Sequence, residues 1–201
     1  MNTRTRAATR PYRMTARAAS AAATGDRILR AVLELHVERF HDQITLEAIA
    51  ERAGVTTQTV LRRFGSRERL VDAAAAFATQ QVMDQRNEAP VGDLVGTVEN
   101  LLDHYEAWGR TALRLLAQED RVPQLRAVAD GGRAAHYAWV DRTFAPFLAA
   151  STDPHLRPRL IALTDVFVWK VLRLDLGLDR AETASTLLGM LRAVLDEGSQ
   201  S

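Results

Sequence analysis

Residues 45 to 64, Thr-Leu-Glu-Ala-Ile-Ala-Glu-Arg-Ala-Gly-Val-Thr-Thr-Gln-Thr-Val-Leu-Arg-Arg-Phe, constrain this chain more than any other stretch, because they read as two short helices meeting at a tight turn. Thr45 can cap the first helix, with Glu47 in its first turn where the helix dipole favours an anion. Leu46, Ile49, Ala50 and Ala53 give that helix an apolar stripe, and Gly54 ends it. Thr56 can cap a second helix in which Val60 and Phe64 lie one turn apart on one face. Gln58 with Arg62, and Thr59 with Arg63, are i, i+4 pairs that point away from that face. A second helix anchored through Val60 and Phe64 therefore presents amide, hydroxyl and guanidinium groups outward, the groups that read base edges and phosphates. Helix, glycine turn and second helix make a helix-turn-helix, whose second helix enters the major groove of DNA. The spacing also occurs in ordinary helical hairpins, so the flanks matter.

Charge follows the same division. Residues 1–80 carry 13 Arg against 8 Asp or Glu, and residues 81–201 carry 13 Lys or Arg against 17 acids. The half with the helix-turn-helix is the basic half, which suits docking on a polyanion, although a solvated surface can show the same imbalance. No run approaches the roughly 18 apolar residues of a membrane span, and the N-terminus shows no hydrophobic segment of the secretory kind. The expectation is a cytoplasmic protein without membrane association. The chain has no cysteine, which removes disulfides, thiolate metal sites and thiol nucleophiles.

Residues 1–23 hold Arg4, Arg6, Arg10, Arg13 and Arg17, no acid and no bulky apolar period, and are expected to form a disordered basic arm. Such an arm can touch DNA or remain a solvated tail. A first helix is expected over about Asp26 to Phe40, capped by Thr24 or Asp26, with Ile28, Leu29, Val32, Leu35 and Phe40 facing a small core. After Gly65, Ser66 caps a fourth helix that should reach Arg86. Arg67 at its start sits unfavourably toward the helix dipole, so a phosphate partner explains it, and so does simple exposure.

Asn87 to Gly92 marks a break. Beyond it the pattern is helical throughout: about Asp93 to Trp108, a shorter piece near Arg110 to Gln118, and a segment opened by Pro123. Gly131 and Gly132 are expected to interrupt that segment before a helix of about Arg133 to Leu148. Asp153-Pro154 opens a helix to about Gly177 whose apolar residues cover nearly its whole circumference and so require burial on more than one side. Asp179 with Glu182 forms a capping-box-like start to the last helix, with Leu187, Leu188, Leu191, Val194 and Leu195 at helical spacing. These last two helices read as dimer formers, with Phe167, Val171, Leu187, Leu191 and Val194 as the expected interface. Five histidines show no metal-ligand spacing, and there is no phosphate loop or nucleophile elbow, so no metal, cofactor or enzymatic activity is expected. The competing reading is a small helical enzyme or ligand-binding protein in which the motif is only a hairpin.

Residues 26 to 77, from Asp-Arg-Ile-Leu-Arg-Ala-Val-Leu-Glu-Leu through Ile-Thr-Leu-Glu-Ala-Ile-Ala-Glu-Arg-Ala-Gly-Val to Phe-Gly-Ser-Arg-Glu-Arg-Leu-Val, closely resemble the DNA-binding domain of the TetR (tetracycline-repressor) family. Asp165 to Lys170 and Arg173 to Gly177 also resemble the penultimate-helix pattern of many such regulators. The resemblance implies an all-α protein of about nine helices, with a three-helix DNA-binding domain over 24–80 and a ligand-binding and dimerisation domain over 81–201. It implies that Thr45, Thr56, Arg63 and Arg67 meet phosphates and that Thr57, Gln58 and Thr59 meet base edges, with Arg62 or the basic arm standing in for a missing anchor. That anchor is a tyrosine in many members, and Leu61 occupies its place here. The implied partners are double-stranded DNA at a pseudo-palindromic operator, a second copy in a homodimer, and an unknown small-molecule effector. The function implied is transcriptional regulation, repression relieved by that effector. All three Trp fall in the C-terminal part, which suits an aromatic pocket as well as a packed core. The expected pocket residues are His104, Tyr105, Trp108, His136, Tyr137, Phe144, Asp165 and Trp169, and the expected effector is neutral or cationic and partly apolar.

Overall fold

The computed structural model of the protein describes residues 10–198. Among the described residues it is all-helical: α1 (Arg10–Glu38), a 3-10 turn (His41–Gln43), α2 (Leu46–Ala53), α3 (Thr57–Phe64), α4 (Arg67–Asn87), α5 (Leu94–Leu116), α6 (Pro123–Thr143), α7 (Ala145–Ala150), α8 (Leu156–Leu163), α9 (Val166–Lys170), a π-helical turn (Val171–Asp175) and α10 (Arg180–Gly198). The chain divides into two compact units, Met1–Ala74 and Ala75–Ser201, and the division falls inside α4. No helix among the described residues is long and apolar enough to cross a membrane.

In the first unit, the apolar stripe of α1 closes over the two short helices. Ile28, Val32 and Leu35 are buried with Ile49 of α2, Val60 of α3 and Leu70 of α4. Each such burial is worth about 1.5–3 kcal/mol against an unfolded reference. Arg52 of α2 forks onto Glu38 at 2.7 Å and reaches Glu34 at 3.3 Å, tying α2 to α1 across the surface. The start of α1 departs from the expectation. Thr24 is no cap, since its hydroxyl donates to the Ser20 carbonyl inside a continuing helix, and α1 runs back to Arg10 through a stretch expected to be an arm. Ala18, Ala19 and Ala21 to Ala23 are strong helix formers and need no apolar period to propagate the helix. Residues 1–9 lie outside the described residues.

The second unit is built on α5. Val98, Leu101 and Leu102 on it pack with Val140 and Phe144, Leu156 and Leu160, and Leu187 and Leu191 of α10. Two expected breaks are absent. Gly109 does not end α5, because Trp169 lies so close that a Cβ there would come within 2.6 Å of its ring, so the glycine serves packing. Nor do Gly131 and Gly132 interrupt α6, whose buried Leu125, Ala129, His136, Trp139 and Val140 hold the helix on both sides of them. One expected helix is broken: 154–177 is divided at Thr164 and Asp165. Asp165 is extended at ψ 153° and its carboxylate accepts from the Phe167 amide, which starts α9 afresh. The capping box of α10 forms, with Asp179 and Glu182 each accepting from the other's backbone amide at 2.8 Å.

Candidate functional site

The helix-turn-helix is assembled by its own caps. Thr45 accepts from the Ala48 amide and Thr56 from the Thr59 amide, each at 3.2 Å. Gly54 takes the left-handed conformation (φ 65°) that closes α2, a conformation a Cβ would strain. The two caps and the glycine fix the turn, and Val60 anchors α3 to the core. Gln58, Leu61, Arg62 and Arg63 are then exposed, while Thr57 and Thr59 are half-buried. The Thr59 hydroxyl lies 2.9 Å from that of Thr56, so the two hydroxyls share one hydrogen bond at the N-terminus of α3. Arg62, Arg63 and Thr59 line a groove of about 440 Å³ whose other wall is Ser20, Ala21 and Thr24 of α1. The Arg63 guanidinium lies against Gly25, where a Cβ would displace it.

Arg67 behaves differently from its expected phosphate role. Its Nη2 donates to the His41 carbonyl at 2.7 Å and to the Ile44 carbonyl at 3.3 Å, and its Nη1 donates to His41 Nε2 at 3.2 Å. His41 Nδ1 lies 3.3 Å from His36 Nε2, and His36 Nδ1 lies 2.8 Å from the Val32 carbonyl. The protons can run in one direction only: His36 donates to Val32, His41 to His36, and Arg67 to His41, with both imidazoles neutral. Burial, and then the Arg67 charge, hold the pKa of His36 and of His41 below the ordinary value. Arg67 thus clasps the turn before α2 to α4 and holds the scaffold on which α3 is displayed.

The residues expected to line a pocket separate into two groups. Tyr137 is exposed, Trp108 is half-buried, and Phe144 is fully buried among apolar core residues. Tyr105, His136, Asp165 and Trp169 do converge, on the break between α8 and α9. The Tyr105 hydroxyl donates to the Thr164 carbonyl at 2.7 Å, and His136 Nε2 donates to the Ile161 carbonyl at 3.1 Å. His104 packs beside Tyr105, their ring centroids 5.0 Å apart, and Tyr105 lies 5.9 Å from the Trp169 ring. The centre of this group is a residue the sequence reading passed over. Arg86, in the last turn of α4, is only 4% exposed, and its guanidinium lies 4.9 Å from the Trp139 ring centroid and 5.6 Å from that of Tyr105. The available hint was its place one turn after Val82 and three residues before Ala89, on the inward period of the helix. Burial pushes the Tyr105 hydroxyl up to about 12, and burial, then Arg86 and His136, push His104 down to about 2.

The expected dimer residues also divide. Leu187 and Leu191 are buried in the core of their own unit, and Val194 is half-buried against it, so that stripe of α10 faces inward. A periodic stripe shows that a face is buried without showing what buries it. Phe167 and Val171, one turn apart, are 54% and 46% exposed.

The fold and its first unit define a class: an all-α, helix-turn-helix DNA-binding regulator. Residues 28–74 match the family model described as bacterial regulatory proteins of the tetR family. The solved structures with this fold include a transcriptional regulator from Rhodococcus sp. Rha1 (14% identity, TM-score 0.68, covering 87% of this chain and 97% of that one). A tetR-family transcriptional regulator from Streptomyces coelicolor is similar at 19% identity and TM-score 0.67, covering 89% of this chain and 83% of its own. A TetR transcription regulator from Haloarcula marismortui is similar at 16% identity and TM-score 0.60, covering 88% and 98%. No curated protein sequence matches the chain. The chain carries the DNA-binding domain of the TetR family within the TetR fold.

Proposed function

We propose that the protein is a sequence-specific repressor that binds a pseudo-palindromic operator as a homodimer and is released by a small molecule held in its second unit. The observation that carries the DNA reading is the display of α3. Its N-terminus is capped by Thr56, its apolar side is locked by Val60, and Gln58 with Arg62 and Arg63 are left exposed. Gln58 and Thr57 are the base readers in this reading, and Arg62 and Arg63 the phosphate contacts, with Thr45 and Thr56 beside them as caps that keep a hydroxyl near the backbone. Arg67 supports the site from behind through His41 and Ile44.

Self-association is supported by the apolar face left on α9, where Phe167 and Val171 are exposed together. A two-fold pair would place two recognition helices about one DNA turn, roughly 34–36 Å, apart. Release is supported by the continuity of α4, which contributes Leu70 to the first core and Arg86 to the buried polar centre of the second unit. An effector that prefers one placement of Arg86 acts on the helix that also belongs to the DNA reader, and operator and effector must then weaken each other by the same factor.

Selection from a random duplex library by the full-length protein tests the reading. Enrichment of an inverted repeat with half-sites one turn apart is expected, and retention of random duplex with no enriched motif would overturn sequence-specific regulation.

A further inference from the structure

We infer that the buried centre around Arg86 is the anchoring subsite for an organic monocarboxylate, which makes the effector an anionic molecule with an apolar body. The inference rests on the reading of the second unit as the effector-binding part, and it replaces the neutral or cationic ligand expected from the sequence.

Arg86 is a buried cation with no carboxylate in contact. Among the described residues, Arg52, Arg133, Arg157, Arg173 and Arg180 each pair with a carboxylate at the surface. Arg86 lies deeper than any of them, and no described carboxylate approaches it within the 4.0 Å of an ion pair. Its hydrogen-bond partners are neutral, Tyr105 at 3.4 Å and His136 at 3.2 Å. His136 has no proton to spare for a second charge, because its Nε2 proton is given to Ile161 and its Nδ1 lone pair to Arg86. An arginine stays protonated under any ordinary condition, so a full positive charge is held in the core with no anion in contact; the Asp165 carboxylate, which accepts from the Phe167 amide, acts on it only from beyond ion-pair distance.

The unmet hydrogen bonds are of the matching kind. Trp139 Nε1 and the Thr143 hydroxyl, one turn apart on α6, and His104 Nδ1 on α5 are all buried without a partner. Trp139 can only donate, and it is the ring under the Arg86 guanidinium. Two further orphan atoms, Gln85 Oε1 and Asn100 Oδ1, belong to amides that already tie α4 to α5 through each other's backbone carbonyls at 2.9 and 2.8 Å, and water suffices for them. Water would also satisfy Trp139 and Thr143, but it would leave Arg86 with no anion in contact. A carboxylate balances it and accepts from the guanidinium through two oxygens.

The charge count selects among anions. With His104 held neutral by burial and His136 neutral by its bonds, Arg86 is the one cation of the group and Asp165 already offsets part of its charge from a distance, which fits a monoanion and not a phosphate dianion. The neighbours select the rest of the molecule: the Tyr105 and Trp139 rings flank the guanidinium, and aromatic faces suit an aryl or alkyl body.

The test uses the full-length protein and phenylacetate, with phenylacetamide, phenethylammonium and inorganic phosphate as matched controls, followed by calorimetry. Saturable binding of phenylacetate is expected, at least tenfold tighter than phenylacetamide, with no binding of the cation. Arg86→Lys should retain weakened binding, and Arg86→Met should abolish it while leaving the melting temperature equal or higher, because it removes a buried unpaired charge. A purely structural Arg86 predicts the opposite, a lower melting temperature. If Arg86→Met fails to fold, Trp139→Phe decides, since loss of one indole N–H should weaken phenylacetate severalfold and leave phenylacetamide unchanged. Equal binding of acid and amide, equal binding of inorganic phosphate, or no binding of phenylacetate at millimolar concentration would overturn the inference. Arg86-dependent binding that leaves operator affinity unchanged would keep the carboxylate site and remove its role in release. An enriched operator with no bound carboxylate would keep the DNA reading and remove the site.

Discussion

Phe167→Glu is the substitution that most directly separates a surface from a core. Phe167 is 54% exposed and stands one turn before Val171 on the open side of α9. Full burial of a phenylalanine is worth about 1.5–3 kcal/mol, so covering the exposed half of this ring with a second copy contributes about 1 kcal/mol. An unpaired carboxylate in a sealed interface costs about 3–5 kcal/mol, and at a position half covered by its own chain roughly 2 kcal/mol is the appropriate share. Two-fold symmetry applies both terms twice, which brings the loss to about 6 kcal/mol, or roughly four decades in the dimer dissociation constant. Sedimentation velocity should therefore show a folded monomer at micromolar concentration, and affinity for the selected operator should fall as the two half-sites become independent. Leu191→Glu is the contrast. Leu191 is fully buried in the core of the second unit, so its replacement should abolish the cooperative melt of that unit. A Phe167→Glu protein that sediments as the wild-type dimer would refute the assignment of α9 as the interface.

Four further outcomes follow from the geometry. Gln58→Ala should relax discrimination at one operator position at about 1–3 kcal/mol while leaving affinity for random duplex nearly unchanged, which titrations against both duplexes would check. Arg67→Ala should lower the stability of the first unit by about 1–3 kcal/mol in urea melts, because the carbonyls of His41 and Ile44 lose their donor; unchanged stability with uniformly weaker DNA binding would restore Arg67 to the phosphates. His36 and His41 have pKa values lowered from 6.5 in the folded state, so the unfolded chain takes up protons first. Their stabilising contribution is complete above about pH 6.5 and is lost as pH falls below it, which urea midpoints measured from neutral pH down to pH ~5 should show as a decline that Arg67→Ala blunts. Gly109→Ala should cost about 1–3 kcal/mol and change tryptophan emission, since the new methyl meets the Trp169 ring.

The elements legible in the sequence were those with local chemistry. Thr45, Gly54, Thr56 and Ser66 announce helix ends through their own side chains or their own backbone freedom, and Asp179 with Glu182 form the box their spacing implies. What was illegible depended on the far side of a contact. Gly109 reads as a helix stop until Trp169 is seen against it, and the Leu187–Leu191 stripe reads as a seam until α5 and α8 are seen beneath it. Arg67 and Arg86 show the same limit for charge. Both lie at the ends of α4 and can be read from the sequence as exposed cations, yet one is spent on backbone carbonyls and the other is buried between two aromatic rings. Patterning reports how often a face turns inward, and it is silent on which groups meet there.

The interruption at Thr164 and Asp165 bears on how the second unit can respond. A helix continuing from α8 would spend the Thr164 carbonyl on its own next turn, but here that carbonyl receives the Tyr105 hydroxyl, and the ladder restarts on the Asp165 carboxylate. The five residues of α9 are registered against α5 by that phenolic hydrogen bond, from the same tyrosine that receives Arg86, together with Trp169, whose indole donates to Glu106 at 3.4 Å and whose ring packs on Gly109. Phe167 and Val171 lie three and seven residues beyond Thr164, whose carbonyl accepts that bond. A molecule that draws Arg86 away from Tyr105 changes the polarisation of a single hydroxyl, and the next group in the series is the peptide on which the outward apolar face of α9 is hung.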